Sequence, residues 1–112
     1  MANFPAWNHP ATLYFHDAAA GADSASMFTA ETFLGMELVD ADTVKLSFKS
    51  PINTAAIDTV TFDFSGSFKD ACRAIAGALN SNTMTVVADA LNDEYLGYNG
   101  GRFSGTVTVT NA

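Results

Sequence analysis

Between residues 67 and 80 the apolar positions recur at helical spacing, and on either side of that stretch they alternate at strand spacing. In SFKDACRAIAGALN, Phe68, Ala71, Cys72, Ile75, Ala78 and Leu79 fall on one stripe of a helix. Ser67 stands where an N-cap belongs. Asp70, three residues on, completes a capping box with Asp in place of the usual Glu or Gln. A lone helix with one apolar stripe must bury it against something, and the flanking strands supply the faces. The pattern therefore predicts an α+β domain: an antiparallel β-sheet or sandwich-like sheet with a single α-helix packed on one face.

The strands follow from alternation. Residues 12–16, TLYFH, are rich in β-formers. Residues 17–26 are small and polar and read as a loop. Residues 27–39 fit no single element, with strand formers at Phe28, Thr29 and 32–34 and a bulge or bend expected at Gly35. A hairpin is expected over 36–49, turning at Asp40-Ala41-Asp42. Its second arm alternates Val44, Leu46 and Phe48 with Lys45, Ser47 and Lys49, and Pro51 ends it. Residues 59–65 alternate again through Val60, Phe62 and Phe64. Strands at 83–89 and 105–111 follow the helix, separated by the loop 90–101. Phe68, Ile75 and Leu79 are expected to be buried against Val60, Phe62, Phe64, Val86 and Val109. The domain is placed at 11–112, preceded by an extended arm at 1–10 in which Pro5 and Pro10 exclude helix and central strand.

Composition changes this picture in one respect. The chain has 112 residues, 48% of them hydrophobic, nine of them Phe, and only 15% charged. Soluble domains average roughly 25% charged residues, so apolar surface is in surplus. A protein–protein interface is the economical outlet. The aromatic arm, with Phe4, Pro5, Trp7 and His9, either lies over its own domain or docks on a neighbour; it is expected to serve as the attachment device. The net charge of −7 argues against nucleic-acid partners, which require basic patches, and against anionic membranes. The N-terminus has no basic and apolar segments of signal-peptide type, and no run approaches the length of a membrane span.

Catalytic and metal-binding patterns are weak. Cys72 is the one cysteine, lies on the helix stripe and reads as a small core residue. Asp89, Asn92, Asp93 and Glu94 offer oxygen ligands, but without the spacing of an EF-hand loop they read as a polar turn. Asp40 and Asp42 are turn residues. His9 and His16 have no nucleophile elbow to serve. Gly97, Gly100 and Gly101 around Tyr98 carry neither phosphate fingerprint. The expectation is a non-enzyme without metal or cofactor. The alternative of a ligand- or glycan-binding module would use Tyr95, Tyr98 and Trp7 as stacking surfaces.

Residues Asp58 to Thr110, through DTVTFDFSGSFKDACRAIAGALNSN, TMTVVADALNDEYLGYNGG and GTVTVTN, resemble small virion structural proteins of tailed bacteriophages, especially those of marine cyanobacterial phages. The resemblance covers about half of the chain and rests on a run of wording, with no chemical signature in it. It implies a capsid decoration, or cement, protein located in the virion, with the major capsid protein or another virion protein as partner. It also implies a homo-oligomer, a trimer in the first instance. A tail or neck component is the alternative within the same class. Tyr95 and Tyr98, in the acidic loop, join the arm as candidate interface residues.

Overall fold

Two sheets and one helix share a single hydrophobic core in the computed structural model, which describes residues 11–18, 25–50 and 55–110. The strands are β1 (Thr12–His16), β2 (Ala25–Thr29), β3 (Phe33–Asp40), β4 (Thr43–Lys49), β5 (Ile57–Phe64), β6 (Met84–Asp89), β7 (Glu94–Tyr95), β8 (Gly97–Tyr98) and β9 (Gly101–Thr110). The helix α1 is Phe68–Leu79. One sheet has the order β2-β1-β6-β7 and the other β3-β4-β5-β9-β8. This is the α+β class expected, a sandwich-like pair of sheets with one helix packed against them.

Alternation sets the inner faces. On β4 and β5, Val44, Leu46, Phe48, Val60, Phe62 and Phe64 are buried, with Val44 opposite Phe62 and Leu46 opposite Val60. The facing sheet contributes Leu13, Phe15 and Phe28. Phenylalanine rings join the two layers. Phe28 stacks on Phe48 with centroids 4.1 Å apart and planes within 6°, and Phe15 lies 5.8 Å from both Phe48 and Phe62. Such offset or tilted ring pairs add to the stabilisation from area alone.

The helix starts as its sequence dictates. Ser67 is the N-cap, and its Oγ accepts from the Asp70 backbone N–H at 3.1 Å. Asp70 places negative charge in the first turn, where the helix dipole favours it. Ala71, Ile75 and Ala78 enter the core, while Phe68 and Leu79 pack against it partly exposed. Of the expected partners, Val60, Phe62 and Phe64 are buried and Val109 is partly so.

Three details differ from expectation. First, β1 pairs with β6 in parallel, although every other strand pair is antiparallel. The connection between them runs through β2, three strands of the second sheet (β3, β4 and β5) and α1, as parallel neighbours require a long connection. Second, the β1–β6 register shifts after Tyr14, so that Val87 enters the core and Val86 is only partly buried. Third, β9 begins at Gly101, four residues before the expected start. Gly105 is an interior bulge with φ +76° whose missing Cβ leaves room for the Asp63 carboxylate. The loop 90–101 also contains the two short strands β7 and β8.

The unassigned stretch 27–39 resolves into the end of β2, one 3-10 turn at Ala30–Thr32, and β3. That turn carries the chain from one sheet to the other. The register shift between Phe33 and Gly35 is the expected bulge. The β3–β4 hairpin turns at Asp40–Asp42 as expected, with the Asp42 N–H donating to Asp40 Oδ1 at 3.1 Å.

Candidate interaction surface

Among the described residues, β3 has a strand neighbour on one side only. It is a full-length edge strand, and its side chains are apolar on both faces. Leu34, Leu38 and Val39 are each about half exposed, at 47%, 47% and 52%. Ile57, 56% exposed at the start of β5, extends the patch. Leu34 and Ile57 share a shallow cleft of about 310 Å³ on the outer face of the sheet with Glu37, Lys45 and Ser47. Lys45 Nζ pairs with Glu37 Oε1 at 3.2 Å across it. On the inner side of β3 a second groove, of about 170 Å³, runs between Phe33 and Met36 of β3 and Cys72, Ile75, Ala76 and Leu79 of α1. Sheet edges with unpaired backbone groups and apolar side chains are docking templates unless charge or proline blunts them. Here Glu37 and Asp40 on β3 and the nearby Glu31 and Asp42 supply acidic groups, and Lys45 and Lys49 of β4, the latter opposite Ile57, supply basic ones.

The two tyrosines expected at an interface are engaged in holding the fold. Tyr95 Oη donates to the Gly105 carbonyl at 2.7 Å, and the Arg102 guanidinium lies 5.6 Å from its ring centroid. Tyr98 Oη donates to the Ser65 carbonyl at 2.7 Å, and its ring meets Phe103 edge-on at 5.2 Å. Burial raises both phenol pKa values; the nearby Asp93 adds to the effect at Tyr95, and the Ser65 hydrogen bond opposes it at Tyr98. These rings fasten β7 and β8 to β9 and to the end of β5. Gly101 permits the close approach, because a Cβ there would run into the Ser65 carbonyl. The other interface candidates, Phe4, Pro5, Trp7 and His9, lie outside the described residues.

The polar clusters are turn devices. Asp89 is buried, and its two carboxylate oxygens accept from the backbone N–H and side-chain amide of Asn92 at 3.1 and 2.9 Å. Asp93, at φ +53°, continues the same turn. At the hairpin tip the Asp42 backbone N–H holds the Asp40 carboxyl below its ordinary pKa. The hydrogen bond shared with the Asp40 side chain, then repulsion from Asp40, push Asp42 up. His16 Nδ1 donates to the Asp17 carbonyl at 2.7 Å. Cys72 is partly exposed on the groove wall and absent from the core cluster, in contrast to its expected place; burial still raises its thiol pKa.

The exposed apolar residues of β3 and Ile57 were not singled out from sequence. A signal was present: FLGMELV has five apolar residues in seven without alternation. A strand apolar on both faces must be covered on both faces, and an edge strand needs a partner to do so. Comparison of the chain with protein-family models, with curated proteins and with solved structures gives no match.

Proposed function

We propose that the protein is a structural subunit of a tailed-phage virion, a capsid decoration protein that acts by docking on its neighbours. The observation that carries this reading is the apolar edge of β3, unpaired among the described residues, with Leu34, Leu38 and Val39, extended by Ile57. Patches of this kind mark interaction sites. The wording of residues 58–110 points the same way by resemblance. The partner is a neighbouring shell protein, the major capsid protein first, presenting an apolar strip with a basic rim to meet Glu31, Asp40 and Asp42. Self-association to a trimer belongs to the same proposal. Tail or neck attachment would use the same surface, and nothing in the geometry favours it.

The glycan-binding alternative has less support, because Tyr95 and Tyr98 spend their hydroxyls on backbone carbonyls and part of their ring faces on Arg102 and Phe103. A direct test is mass spectrometry of washed particles from an infected culture that makes this chain. The proposal expects the chain in many copies per particle, retained through high-salt washing as apolar docking predicts. A chain found in the lysate and missing from washed particles would refute it.

A further inference from the structure

We propose that Asn99 is a site of spontaneous covalent modification, in which the Gly100 nitrogen closes on the Asn99 side chain, ammonia leaves, and the turn between β8 and β9 converts to aspartate and isoaspartate. Asn99 and Gly100 are the two residues of that turn, since Tyr98 pairs with Gly101 and Gly97 with Arg102. Both are exposed. Asn99 keeps a negative φ while Gly100 takes +91°, the combination of a type II turn. Attack needs rotation about the Asn99 Cα–C bond. The peptide plane beyond that bond is the one whose flip separates turn types I and II, and glycine accepts both. The position that a Gly100 Cβ would take has only Asp70 Oδ2 near it, at 4.0 Å. The attacking nitrogen is therefore shielded neither by a side chain on Gly100 nor by packing where one would sit.

The chemistry needs only water. The Gly100 N–H loses its proton to solvent base, and the nitrogen bonds to Asn99 Cγ. The Cγ–Nδ2 bond breaks, and Nδ2 takes up a proton and leaves as ammonia. A cyclic imide now joins Asn99 to Gly100. Water opens it on either side. Addition at Cγ gives aspartate, with the main chain restored. Addition at the Asn99 main-chain carbonyl carbon gives isoaspartate, with the main chain running through Cβ and Cγ. Either way one water enters for each ammonia released, and a neutral amide becomes a carboxylate. The other described asparagines are held back. The nitrogen that would attack Asn80 belongs to Ser81 and donates to the Ala78 carbonyl at 3.2 Å. Asn82 precedes Thr83, whose branched side chain crowds its nitrogen. The Asn92 amide donates to Asp89 Oδ2 at 2.9 Å.

The fold makes the isoaspartate product consequential. The far side of the turn is packed against Ser65 and Gly66. A Cβ on Gly66 would lie 2.6 Å from the Gly100 carbonyl oxygen, and one on Gly101 would run into the Ser65 carbonyl. The same Ser65 carbonyl accepts from Tyr98 Oη at 2.7 Å, and the Ser65 N–H donates to the Arg102 carbonyl at 2.9 Å. Isoaspartate lengthens the main chain by one carbon–carbon bond, ~1.5 Å. Tyr98 and Gly101 cannot both keep their places on Ser65 across a turn lengthened by that amount. The new carboxylate also arises beside Asp70, which holds the first turn of α1. Conversion to isoaspartate therefore unfastens β8 from the end of β5.

The test is a time course of the full-length protein in mildly alkaline buffer, folded and urea-unfolded. Trypsin releases residues 74–102, which contain all four of these asparagines, and fragment masses assign the replacement of NH2 by OH to one of them. Asn99 should convert first, faster at higher pH, and in the folded protein within about tenfold of its rate in the unfolded chain, as for an exposed turn whose local opening costs little. Asn99→Ser, with its fold checked by far-UV circular dichroism, should abolish this early conversion. The isoaspartate form, separated by chromatography, should unfold at lower urea than Asn99→Asp, which carries the same charge on an unlengthened main chain, and should lose tyrosine signal in the near ultraviolet. Conversion of folded Asn99 more than about tenfold slower than in the unfolded chain, or earlier conversion of Asn80, Asn82 or Asn92, would overturn the site. An isoaspartate form as stable as Asn99→Asp would overturn its effect on β8.

Discussion

Phe48 is the residue on which the joining of the two sheets rests most heavily, and replacing it by Ala tests that directly. Its side chain is fully buried. It stacks on Phe28 at 4.1 Å from the opposite sheet, and has Phe15 at 5.8 Å and Phe33 at 5.6 Å. Truncating a buried Phe to Ala costs ~3–5 kcal/mol, the spread depending on how far the site can collapse. Here the walls belong to three different strands fixed in their own ladders, so collapse is small and the upper half of that range applies. Ring-pair interactions of ~0.5–1.5 kcal/mol are lost with it. At ~0.05–0.15 kcal/mol per residue the whole chain is stable by ~6–17 kcal/mol, so the variant can remain folded and measurable. In urea unfolding followed by far-UV circular dichroism, a slope of ~2 kcal/mol per molar predicts a midpoint lower by ~2 M at unchanged slope. Phe48→Leu should lose less than half as much. A loss below ~1.5 kcal/mol for Phe48→Ala would refute the aromatic bridge as the joint between the sheets.

Further outcomes follow from single contacts. Ile75→Ala, which empties a buried position of α1, should cost ~2–5 kcal/mol in the same assay; a loss under half a kcal/mol (about the noise of a surface change) would show that the helix stripe is not core. Gly101→Ala puts a Cβ into the Ser65 carbonyl and should destabilise by more than the ~1 kcal/mol typical of point mutants, with Tyr98 losing the fixed environment that a near-ultraviolet spectrum reports. In a carboxyl NMR titration Asp42 should gain its proton at higher pH than Asp40. As pH falls, protonation of Asp42 removes its repulsion with Asp40 and lets it donate to the Asp40 carboxylate, whereas protonation of Asp40 below its lowered pKa weakens the turn. Asp40→Asn should bring Asp42 down toward an ordinary aspartate, and an unmoved Asp42 would contradict the pairing.

The elements legible in the sequence were those whose neighbours in space are also neighbours in the chain. The helix announces itself by its stripe and by Ser67, and the β3–β4 hairpin by alternation around an Asp-rich turn. Pairings between distant segments carry no local signal. The β1–β6 parallel contact, closed by a crossover of most of the chain, could not be read from TLYFH or TMTVVAD alone. Gly105 shows a different difficulty. A glycine before an alternating run looks like a strand start, and only the Asp63 carboxylate opposite reveals it as a bulge. Tyr95 and Tyr98 looked available for partners because they sit in a polar, Gly-rich loop; the acceptors that engage them, Gly105 and Ser65, lie 10 and 33 residues away. Conversely, the exposure of Leu34 depends on where β3 falls in the sheet and that of Ile57 on the face of β5 it occupies, properties of sheet order and not of composition.

The central claim is that the outer cleft beside the β3 edge docks the protein on its shell neighbour. Leu34→Lys with Ile57→Lys places two charges in that cleft at half-exposed positions, the first on the edge strand, where folded sheets tolerate lysine well. The measurement is the fraction of purified protein that co-sediments with particles lacking it, for wild type and for this double variant, at matched concentration and with unfolding midpoints shown to be alike. The account predicts saturable binding by the wild type and an apparent affinity at least about tenfold weaker, ~1.4 kcal/mol, for the variant. Equal binding by the two proteins would contradict it and place the attachment surface elsewhere on the molecule.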